Sequence, residues 1–505
     1  METELWLLWA TLAVSLLYYL SSSLSRHGTG ASRLPPGPRP LPLVGNLLDL
    51  RHGHLHHALA GLARVHGAPV MRLKLGLTTA VVVSSRAAAA EAYARHDRRL
   101  AARAVPDATR ALGFSDRSMI WLPSSDPRWK ALRGVVAAHV FSPRGLAAAR
   151  AARERKVRDL VSYFRERAAG REVVELGDAV YGGVLNLVSS AFFSVDVVGV
   201  GAESARGLRE LMEAVIEAIA KPNVSDLFPF LRRLDLQGWR RRTAVHIAEI
   251  FRILDGIIDR RSAEASSSSK QDTQGHGDFL DALLELLSTG KVTRDNLTTI
   301  LFDVFVAGTD TIAITVEWAM AELLRNPSAM ARAREELDGA LGGKLEAVEE
   351  ADVAKLPYLQ AVVKEAMRLH PVAPLLLPHL AVEDGVEIGG YAVPKGSTVI
   401  FNAWAIMRDP EVWERPDEFV PERFLENLEL RAKDYEFIPF GAGRRLCPGL
   451  PMAERVVPHI VASLLHGFDW RLPEGVSAEQ LDLSEKFTTV NVLAVPLRAV
   501  PVVRT

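Results

Sequence analysis

The chain has 505 residues, of which 48% are hydrophobic, and it carries 60 basic against 61 acidic side chains and one cysteine. This length allows up to about three domains or one large catalytic domain. A net charge of -1 argues against a nucleic-acid-binding protein, which needs a surplus of Lys and Arg. The single cysteine, Cys447, excludes an internal disulfide and any metal site that needs several cysteines of this chain.

Residues 5–24 form an uncharged apolar stretch near the N-terminus. A helix of that length is about 30 Å long, which is enough to cross the hydrocarbon core of a bilayer. Glu2 and Glu4 precede the stretch and Arg26 follows it, so the positive-inside rule places the remaining chain in the cytosol. The alternative, a cleaved signal peptide, would need a basic leading region and a small-residue cleavage site. We therefore predict a single-pass membrane anchor over residues 1–25.

A proline-dense segment follows the predicted anchor, with the sequence LPPGPRP at residues 34–40. Prolines at this density are incompatible with helix or sheet and form stiff, extended chain. Residues 26–46 are therefore predicted to be a linker that holds the globular part away from the membrane. Residues 47–505 are predicted to form the catalytic domain.

The globular part is predicted to be mainly α with small β-sheets, because most of it shows the periodicity of amphipathic helices. Residues 71–75 and 79–84 alternate or are β-branched around Gly76, which predicts a hairpin. Residues 386–393 and 397–402 predict a second small strand region. The polar tract at residues 262–277 predicts a surface linker between helices.

Residues 295–325 predict one long helix that Thr293 caps and that ends before Pro327. Its centre, residues 307–311, has the unusual sequence AGTDT. Glycine and adjacent threonines are poor helix formers, and an aspartate inside an apolar helix is costly unless it has a task. A kink without functional consequence is the alternative interpretation.

Two further pairs of residues have helical spacing. Trp129 and Arg133 are four residues apart, so both side chains point the same way on a helix. Glu365 and Arg368 are three residues apart and can form an ion pair. Taken alone, the first pair is also typical of a surface arginine beside a packed tryptophan, and the second of an ordinary surface ion pair.

The strongest signal surrounds Cys447, in the sequence FGAGRRLCPG at residues 440–449. Its glycines allow the backbone to turn tightly and to approach a flat ligand closely. Arg445 can hold an anionic group and favour the thiolate. A thiolate is a proximal haem ligand that favours O–O cleavage. A lone cysteine is more often a small core residue, but this one lies in a Gly/Arg loop ahead of an apolar helix.

The motif F-x-x-G-x-R-x-C-x-G is complete in Phe440, Gly443, Arg445, Cys447 and Gly449, and it resembles the signature of the cytochrome P-450 family. The resemblance implies the P-450 fold and a haem b whose iron Cys447 ligates. It extends from the predicted anchor to the C-terminus. The sequences FNAWA and PGLPMA, at residues 401–405 and 448–453, resemble plant microsomal members, in particular the geraniol-hydroxylase-like group that includes grass diterpene hydroxylases.

The resemblance also implies roles for the helical motifs. Asp310 and Thr311 match the acid–alcohol pair that relays protons in the family, although Ile312 replaces the usual Thr or Ser. Ala307 and Gly308 match the positions that leave room for oxygen. Glu365, Arg368 and the Arg423 of a P-E-R-F element match a buried structural triad. The residues that match haem-binding positions, including propionate partners, are Arg103, Trp129, Arg133, His379, Phe440, Gly443, Arg445 and Cys447.

The resemblance implies a substrate pocket that is mostly apolar, which fits a neutral hydrophobic substrate. Its residues by this resemblance are Phe114, Ile120, Phe302, Phe305, Val306, Ala307, Val372, Leu376, Thr488 and Thr489. The substrate expected from the group is a terpenoid of plant specialised, phytoalexin-type metabolism. It is either a diterpene such as an ent-cassadiene-type olefin, or a monoterpenol like geraniol or another lipophile.

The activity implied is a monooxygenase at the endoplasmic reticulum membrane that uses O2. Gly199 and Gly201 do not complete a dinucleotide motif, because Ser204 occupies the third glycine position. NADPH electrons are therefore expected from a partner reductase. Two alternatives remain: a haem-thiolate isomerase or dehydratase without a reductase, against which Thr311 argues, and a non-catalytic haem-binding membrane protein.

Overall fold

The computed structural model describes residues 33–200, 203–267, 277–342, 347–426 and 434–504. The predicted anchor over residues 1–25 lies outside the described residues. Two compact units are present within the described ranges. The sheet unit comprises residues 33–104, Pro222–Gln237 and Leu375–Ile406. The helical unit comprises the described residues of Val105–Lys221, Gly238–Pro374 and Met407–Thr505.

Helices dominate the described residues, which confirms the mainly α fold. The α-helices are α1 (Leu55–Val65), α2 (Arg86–Leu100), α3 (Pro127–His139), α4 (Pro143–Ala148), α5 (Arg150–Ala169), α6 (Leu176–Phe193), α7 (Glu203–Ala220), α8 (Val224–Leu227), α9 (Trp239–Ser267), α10 (Phe279–Ser288), α11 (Arg294–Arg325), α12 (Pro327–Leu341), α13 (Pro357–Leu369), α14 (Ala403–Ile406) and α15 (Leu450–Gly467). Short 3-10 helices occupy Leu47–Leu50, Asp107–Asp116, Pro229–Leu234, Glu350–Lys355, Pro421–Phe424, Gly443–Arg445 and Ala478–Gln480.

The strands form small sheets within each unit. They are β1 (Val70–Leu75), β2 (Thr78–Val83), β3 (Ala102–Arg103), β4 (Val174–Glu175), β5 (His379–Leu380), β6 (Val386–Ile388), β7 (Tyr391–Val393), β8 (Thr398–Phe401), β9 (Phe468–Arg471), β10 (Glu485–Phe487), β11 (Asn491–Leu493) and β12 (Arg498–Val503). In the sheet unit one sheet has the order β1-β2-β8-β5-β3, and β6 pairs with β7. In the helical unit the orders are β4-β12-β9 and β10-β11.

The predicted hairpin around Gly76 is confirmed. Strands β1 and β2 pair antiparallel, and Leu75 lies opposite Thr78 at the turn. Gly76 has a φ of +59°, and a Cβ at this position would lie 2.7 Å from the carbonyl oxygen of Leu227. Glycine is therefore required both by the left-handed backbone and by the close approach of a second segment.

The second predicted strand region is divided between two sheets. Residues 386–393 fold back on themselves as the β6–β7 hairpin, because Gly389 and Gly390 both have positive φ and form the turn. Strand β8 instead pairs in parallel with β2, with Val399 opposite Val81.

The predicted linker at residues 262–277 starts later than expected, because α9 continues to Ser267. The Ser262 hydroxyl donates to the Ile258 carbonyl at 2.8 Å and so bonds within the helix instead of ending it. Near this end of α9, Arg261 forms ion pairs with Asp281 at 2.6 Å and with Asp278 at 3.0 Å. Residues 268–276 lie outside the described residues.

The long predicted helix is confirmed as α11. The Thr293 hydroxyl accepts a hydrogen bond from the Asn296 amide at 3.2 Å, and the helix ends before Pro327. In the part of the chain that the structure describes, α6 and α11 are the two helices long and apolar enough to cross a membrane. Their most apolar windows are 94% and 83% buried, so both are core helices of the helical unit.

A fully buried ion pair lies at the end of α13. Arg368 binds both carboxylate oxygens of Glu365 at 2.8 Å, and neither side chain is exposed. Arg423 contacts the same carboxylate at 3.2 Å. Arg368 also donates to the carbonyls of Met407, Pro416 and Glu418, at 3.0, 2.7 and 3.1 Å. A buried ion pair of this kind is stable because its donors and acceptors are all paired.

Arg368→Met should strongly destabilise the protein, because it leaves the Glu365 carboxylate buried beside one cation and leaves three carbonyls without a donor. We expect the free energy of unfolding to fall by about 3–5 kcal/mol, measured by urea denaturation. The matched control is Arg332→Met, which breaks a half-exposed pair with Glu422. That change should cost about 1 kcal/mol or less, and an equal loss in both variants would contradict the role of Arg368.

Candidate functional site

Cys447 lies in a tight loop that leads into α15. Its amide donates to the Phe440 carbonyl at 3.0 Å, and the Leu446 amide donates to the Gly443 carbonyl at 3.1 Å. Gly441 and Gly443 have φ of 70° and 65°, a conformation that glycine adopts without strain. The loop thereby holds the sulfur, half-buried, immediately before the first turn of α15.

Arg133 on α3 supplies a positive charge that acts on the Cys447 sulfur. Burial raises the pKa of the Cys447 thiol, whereas the amides of Gly449 and Leu450 and the charge of Arg133 act to lower it. The Arg133 guanidinium donates to the Leu446 carbonyl, one residue before the cysteine. Arg133 is therefore a cation that favours the thiolate.

Arg445 contacts a neighbouring segment of the helical unit. Its guanidinium donates to the carbonyls of Met119 at 3.3 Å, Ile120 at 3.4 Å, and Leu122. It also lies over the Trp129 ring, 4.9 Å from the ring centroid. Trp129, Arg133, Arg445 and Cys447 are thus brought together in the helical unit.

The other two predicted propionate partners are cross-strand neighbours in the sheet unit. Arg103 on β3 lies opposite His379 on β5. Arg103 donates to the Leu377 carbonyl, and Nδ1 of His379 donates to the Leu100 carbonyl at 2.8 Å. Because a carbonyl can only accept, this bond fixes the tautomer and the orientation of the imidazole.

The centre of α11 is a regular helix with two accessible side chains. Ala307 and Thr311 are exposed, whereas the flanking residues are buried or half-buried. The Thr311 hydroxyl donates to the Ala307 carbonyl at 2.7 Å, a bond that satisfies its proton within the helix. Gly308 faces α6, since a Cβ there would lie 3.8 Å from Val188. The accessible pair is thus Ala307 and Thr311.

Asp310 is buried and lies beside Tyr181 of α6, whereas Thr311 is exposed. Burial raises the pKa of its carboxyl to about 7, although the hydroxyl of Tyr181 on α6 acts to lower it. Its Oδ1 has no hydrogen-bond partner among the described residues. The Arg209 guanidinium lies over the Tyr181 ring, 4.9 Å from the ring centroid. Arg209 also forms an ion pair with Glu213 at 2.7 Å.

Comparison with known proteins identifies the family. The cytochrome P-450 family model matches residues 35–495. The chain belongs to the cytochrome P-450 family. It is 69% identical to cytochrome P-450 76M5 of Oryza sativa subsp. japonica, with 100% of each chain covered. It is 62% identical to ent-cassadiene C11-alpha-hydroxylase 1 of the same organism, with 99% of each covered. It is 42% identical to geraniol 8-hydroxylase of Swertia mussotii, with 97% of this chain and 98% of that one covered.

The side chains of this P-450 monooxygenase fit the haem that its family implies. Cys447 offers a sulfur ligand, and Trp129, Arg133 and Arg445 offer N–H donors and positive charge for carboxylates. Gly449 lies beside the sulfur, since a Cβ at this position would be in van der Waals contact with Cys447 Sγ at 3.7 Å. The donor set is therefore of the right chemistry for an anionic, iron-bearing macrocycle.

The residues named for the substrate pocket fall into three groups. Phe114 and Phe302 stack edge to face at 4.9 Å, Phe305 contacts Phe193 at 5.9 Å, and Val306 is also buried, so these four contribute to the core. Leu376 lies in the sheet unit. The named residues of the helical unit with accessible surface are Ile120, Ala307, Val372, Thr488 and Thr489.

Two polar residues at the site were missed by the sequence interpretation. Asp303 lies in the same apolar helix as Asp310 and carries the same signal, an acid among hydrophobic residues. Tyr181 lies in an almost wholly apolar helix, and nothing in its spacing relates it to Asp310. Only the packing of α6 against α11 brings those two side chains together.

Tyr181→Phe should raise the pKa of Asp310, because it removes the hydroxyl that favours the carboxylate. The protonated carboxyl band of Asp310, identified by its loss in Asp310→Asn, should titrate at higher pH in infrared difference spectra. Tyr358→Phe is the matched control, since its hydroxyl is paired with Glu422 instead. If the titration of Asp310 is unchanged in Tyr181→Phe, the Tyr181 hydroxyl does not influence the pKa of Asp310.

Proposed function

We propose that this P-450 is a haem-thiolate monooxygenase of the endoplasmic reticulum membrane that hydroxylates a neutral terpenoid, specifically a diterpene olefin of the ent-cassadiene type. O2 supplies the inserted oxygen atom, and a partner reductase supplies electrons from NADPH. A monoterpenol like geraniol is the second candidate substrate, favoured by the similarity to geraniol 8-hydroxylase.

The observation that carries the substrate class is the uncharged character of the accessible pocket residues. Ile120, Ala307 and Val372 are apolar, and Thr488 and Thr489 offer only hydroxyls. The Thr489 hydroxyl donates to the Ile216 carbonyl, so its proton is already used. A pocket of this composition fits a hydrocarbon or an alcohol better than a carboxylate or an amine. The named activity of the rice relative, hydroxylation of ent-cassadiene, is of this kind.

The residues proposed to bind the cofactor are those that match haem-binding positions of the family. Cys447 is the proposed iron ligand, and Phe440 and Gly443 shape its loop. The proposed propionate partners are Trp129, Arg133, Arg445, Arg103 and His379. When bound, a haem-thiolate supplies the O–O cleavage and oxygen-transfer chemistry, while the protein supplies orientation and electrostatics.

Asp310 and Thr311 are proposed to relay protons for the reaction. A carboxyl with a pKa of about 7 holds a proton in part of the molecules at neutral pH and can both accept and release one. Thr311 places a hydroxyl oxygen on the accessible side of α11, where it can accept a hydrogen bond while its own proton is donated to the Ala307 carbonyl. Glu365, Arg368 and Arg423 are assigned a structural role only.

Membrane attachment is proposed from residues of the sheet unit as well as from the anchor. The Gly76 amide donates to the Val44 carbonyl at 3.3 Å and the Leu77 amide to the Leu227 carbonyl at 2.9 Å, so three segments are adjacent. These segments expose large apolar side chains that we call the apolar patch: Leu41, Leu43, Val44, Leu48, Leu77, Phe230, Leu234 and Leu236. Leu41, Leu43, Val44 and Leu48 of the patch lie within or just after the linker that follows the predicted anchor. Exposed apolar clusters of this kind mark contact surfaces.

A variant without residues 1–33 should still bind lipid vesicles through the apolar patch. Adding Phe230→Ser and Leu234→Ser, which are 71% and 59% exposed, should weaken binding at least about tenfold in vesicle sedimentation. The control pair is Val245→Ser with Val495→Ser, exposed apolar residues of the helical unit. Equal losses in both pairs would contradict a membrane role for the patch.

The proposed activity is tested by co-expression with a plant reductase and feeding of a panel of mono- and diterpenes. We expect a product heavier by one oxygen atom from a diterpene olefin, detected by mass spectrometry and dependent on NADPH and O2. Cys447→Ala should abolish both the product and the red-shifted absorption band of the reduced, carbon monoxide-treated sample, because it removes the sulfur ligand.

The other outcomes identify the alternatives. Turnover without NADPH or O2 would establish an isomerase or dehydratase. The absorption band without oxidation of any terpenoid would indicate a haem-binding protein without this activity. Persistence of the band in Cys447→Ala would overturn the ligand assignment.

A further inference from the structure

Asp303 is a buried carboxylate that faces a short irregular segment. Its side chain lies on α11 and is almost fully buried. The Ser118 hydroxyl lies 2.8 and 3.0 Å from its two oxygens, and the Met119 amide donates to it at 2.7 Å. Burial raises the pKa of this carboxyl to about 7, whereas the donors from the segment act to lower it. The cost of burying this carboxyl in an apolar helix is thus offset by hydrogen bonds from outside the helix.

The same segment is held from its other side by Arg445. We call residues 118–122 the strap. Arg445 donates to the strap carbonyls of Met119, Ile120 and Leu122. Within the strap, the Ile120 amide donates to the Ser118 hydroxyl at 3.1 Å and the Leu122 amide to the Ser118 carbonyl at 3.0 Å. The strap therefore presents its N–H and O–H groups to an anion and its carbonyls to a cation.

The strap has no regular secondary structure of its own. It lies between the 3-10 helix Asp107–Asp116 and α3, and its internal bonds are those of turns. Its position therefore depends on side chains from other elements, and Asp303 is the one that binds its N–H and O–H donors. Ile120, at the centre, is the strap residue with accessible surface next to buried Ser118 and Met119.

We propose that Asp303 is a positioning residue that fixes the strap, and with it Ile120, and so selects which carbon of a bound substrate is oxidised. The proposal rests on the proposed function for the identity of the substrate. A carboxylate suits this place because all the groups that face it from the strap are donors. An asparagine would turn one N–H2 group toward those donors and lose an acceptor.

The strap also relates the substrate wall to the cofactor loop. Arg445 lies two residues before Cys447 in the chain, and Asp303 lies one turn before the accessible Ala307 on α11. A shift of the strap therefore changes the position of Ile120 relative to both elements. Displacements of less than 1 Å at such a wall are enough to change the reacting geometry.

The test compares Asp303→Asn and Ser118→Ala with wild type and with Asp352→Asn. Asp352 is a buried aspartate that accepts from the Glu349 amide at 3.1 Å, so its substitution removes a comparable group outside the strap. Two variants of the strap contact are used because either alone can fail to fold. Amide hydrogen exchange of the peptide that covers the strap reports its release without turnover.

We expect exchange of the strap amides to become about tenfold faster in Asp303→Asn and Ser118→Ala, and to stay unchanged in Asp352→Asn. The ratio of regioisomeric products should change about threefold or more, with normal carbon monoxide spectra. The affinity for clotrimazole, a bulky azole, should change in the same variants by spectral titration.

Two results would overturn the proposal. One is unchanged exchange of the strap in both variants. The other is faster exchange with the product ratio and the clotrimazole affinity of wild type. Clotrimazole binding does not depend on terpenoid turnover, so failure of the proposed function, seen as wild type without product, remains distinguishable from failure of this proposal.

Discussion

The ion pair of Glu365 and Arg368 is the interaction on which the cysteine side of the helical unit depends. One guanidinium neutralises a buried carboxylate and also binds carbonyls at residues 407, 416 and 418, in chain that has little regular structure. These carbonyls lie in the described residues 407–426, in the part of the chain that precedes Cys447. An irregular segment of this kind has few bonds of its own, so a multidentate side chain from a helix fixes it.

The core helix α11 carries polar side chains inside an apolar environment, and these side chains need hydrogen-bond partners. Thr309, Thr311 and Thr315 each donate to the carbonyl four residues before, which satisfies their hydroxyls within the helix. Its two central acids cannot be satisfied in this way. Asp303 accepts hydrogen bonds from Ser118 and Met119, and Asp310 lies beside Tyr181, so each acid links α11 to a different neighbour. The free-energy cost of burying each of these carboxyls is offset by groups on the neighbouring element.

The sequence was informative wherever a local pattern determines structure. The hairpin at Gly76, the cap at Thr293 and the mainly α fold follow from short-range rules, and the structure confirms them. Long-range relations were less accessible. The spacing of Trp129 and Arg133 on α3 did not reveal that the Arg133 charge acts on the Cys447 thiol. Tyr181 lies in another helix from Asp310, and the phenylalanines expected in the pocket pack against one another because aromatic residues serve cores and pockets equally.

The parallel pairing of β2 with β8 has a consequence for biosynthesis. Val83 pairs with Phe401, so the sheet joins segments separated by about 300 residues. At a synthesis rate of about 5–20 residues per second, the nascent hairpin waits roughly 15–60 s for its partner strand. During that time the apolar run of Val81, Val82 and Val83 presents an unpaired edge, which is a hazard for aggregation. Folding of this high-contact-order sheet therefore places a demand on chaperones early in translation.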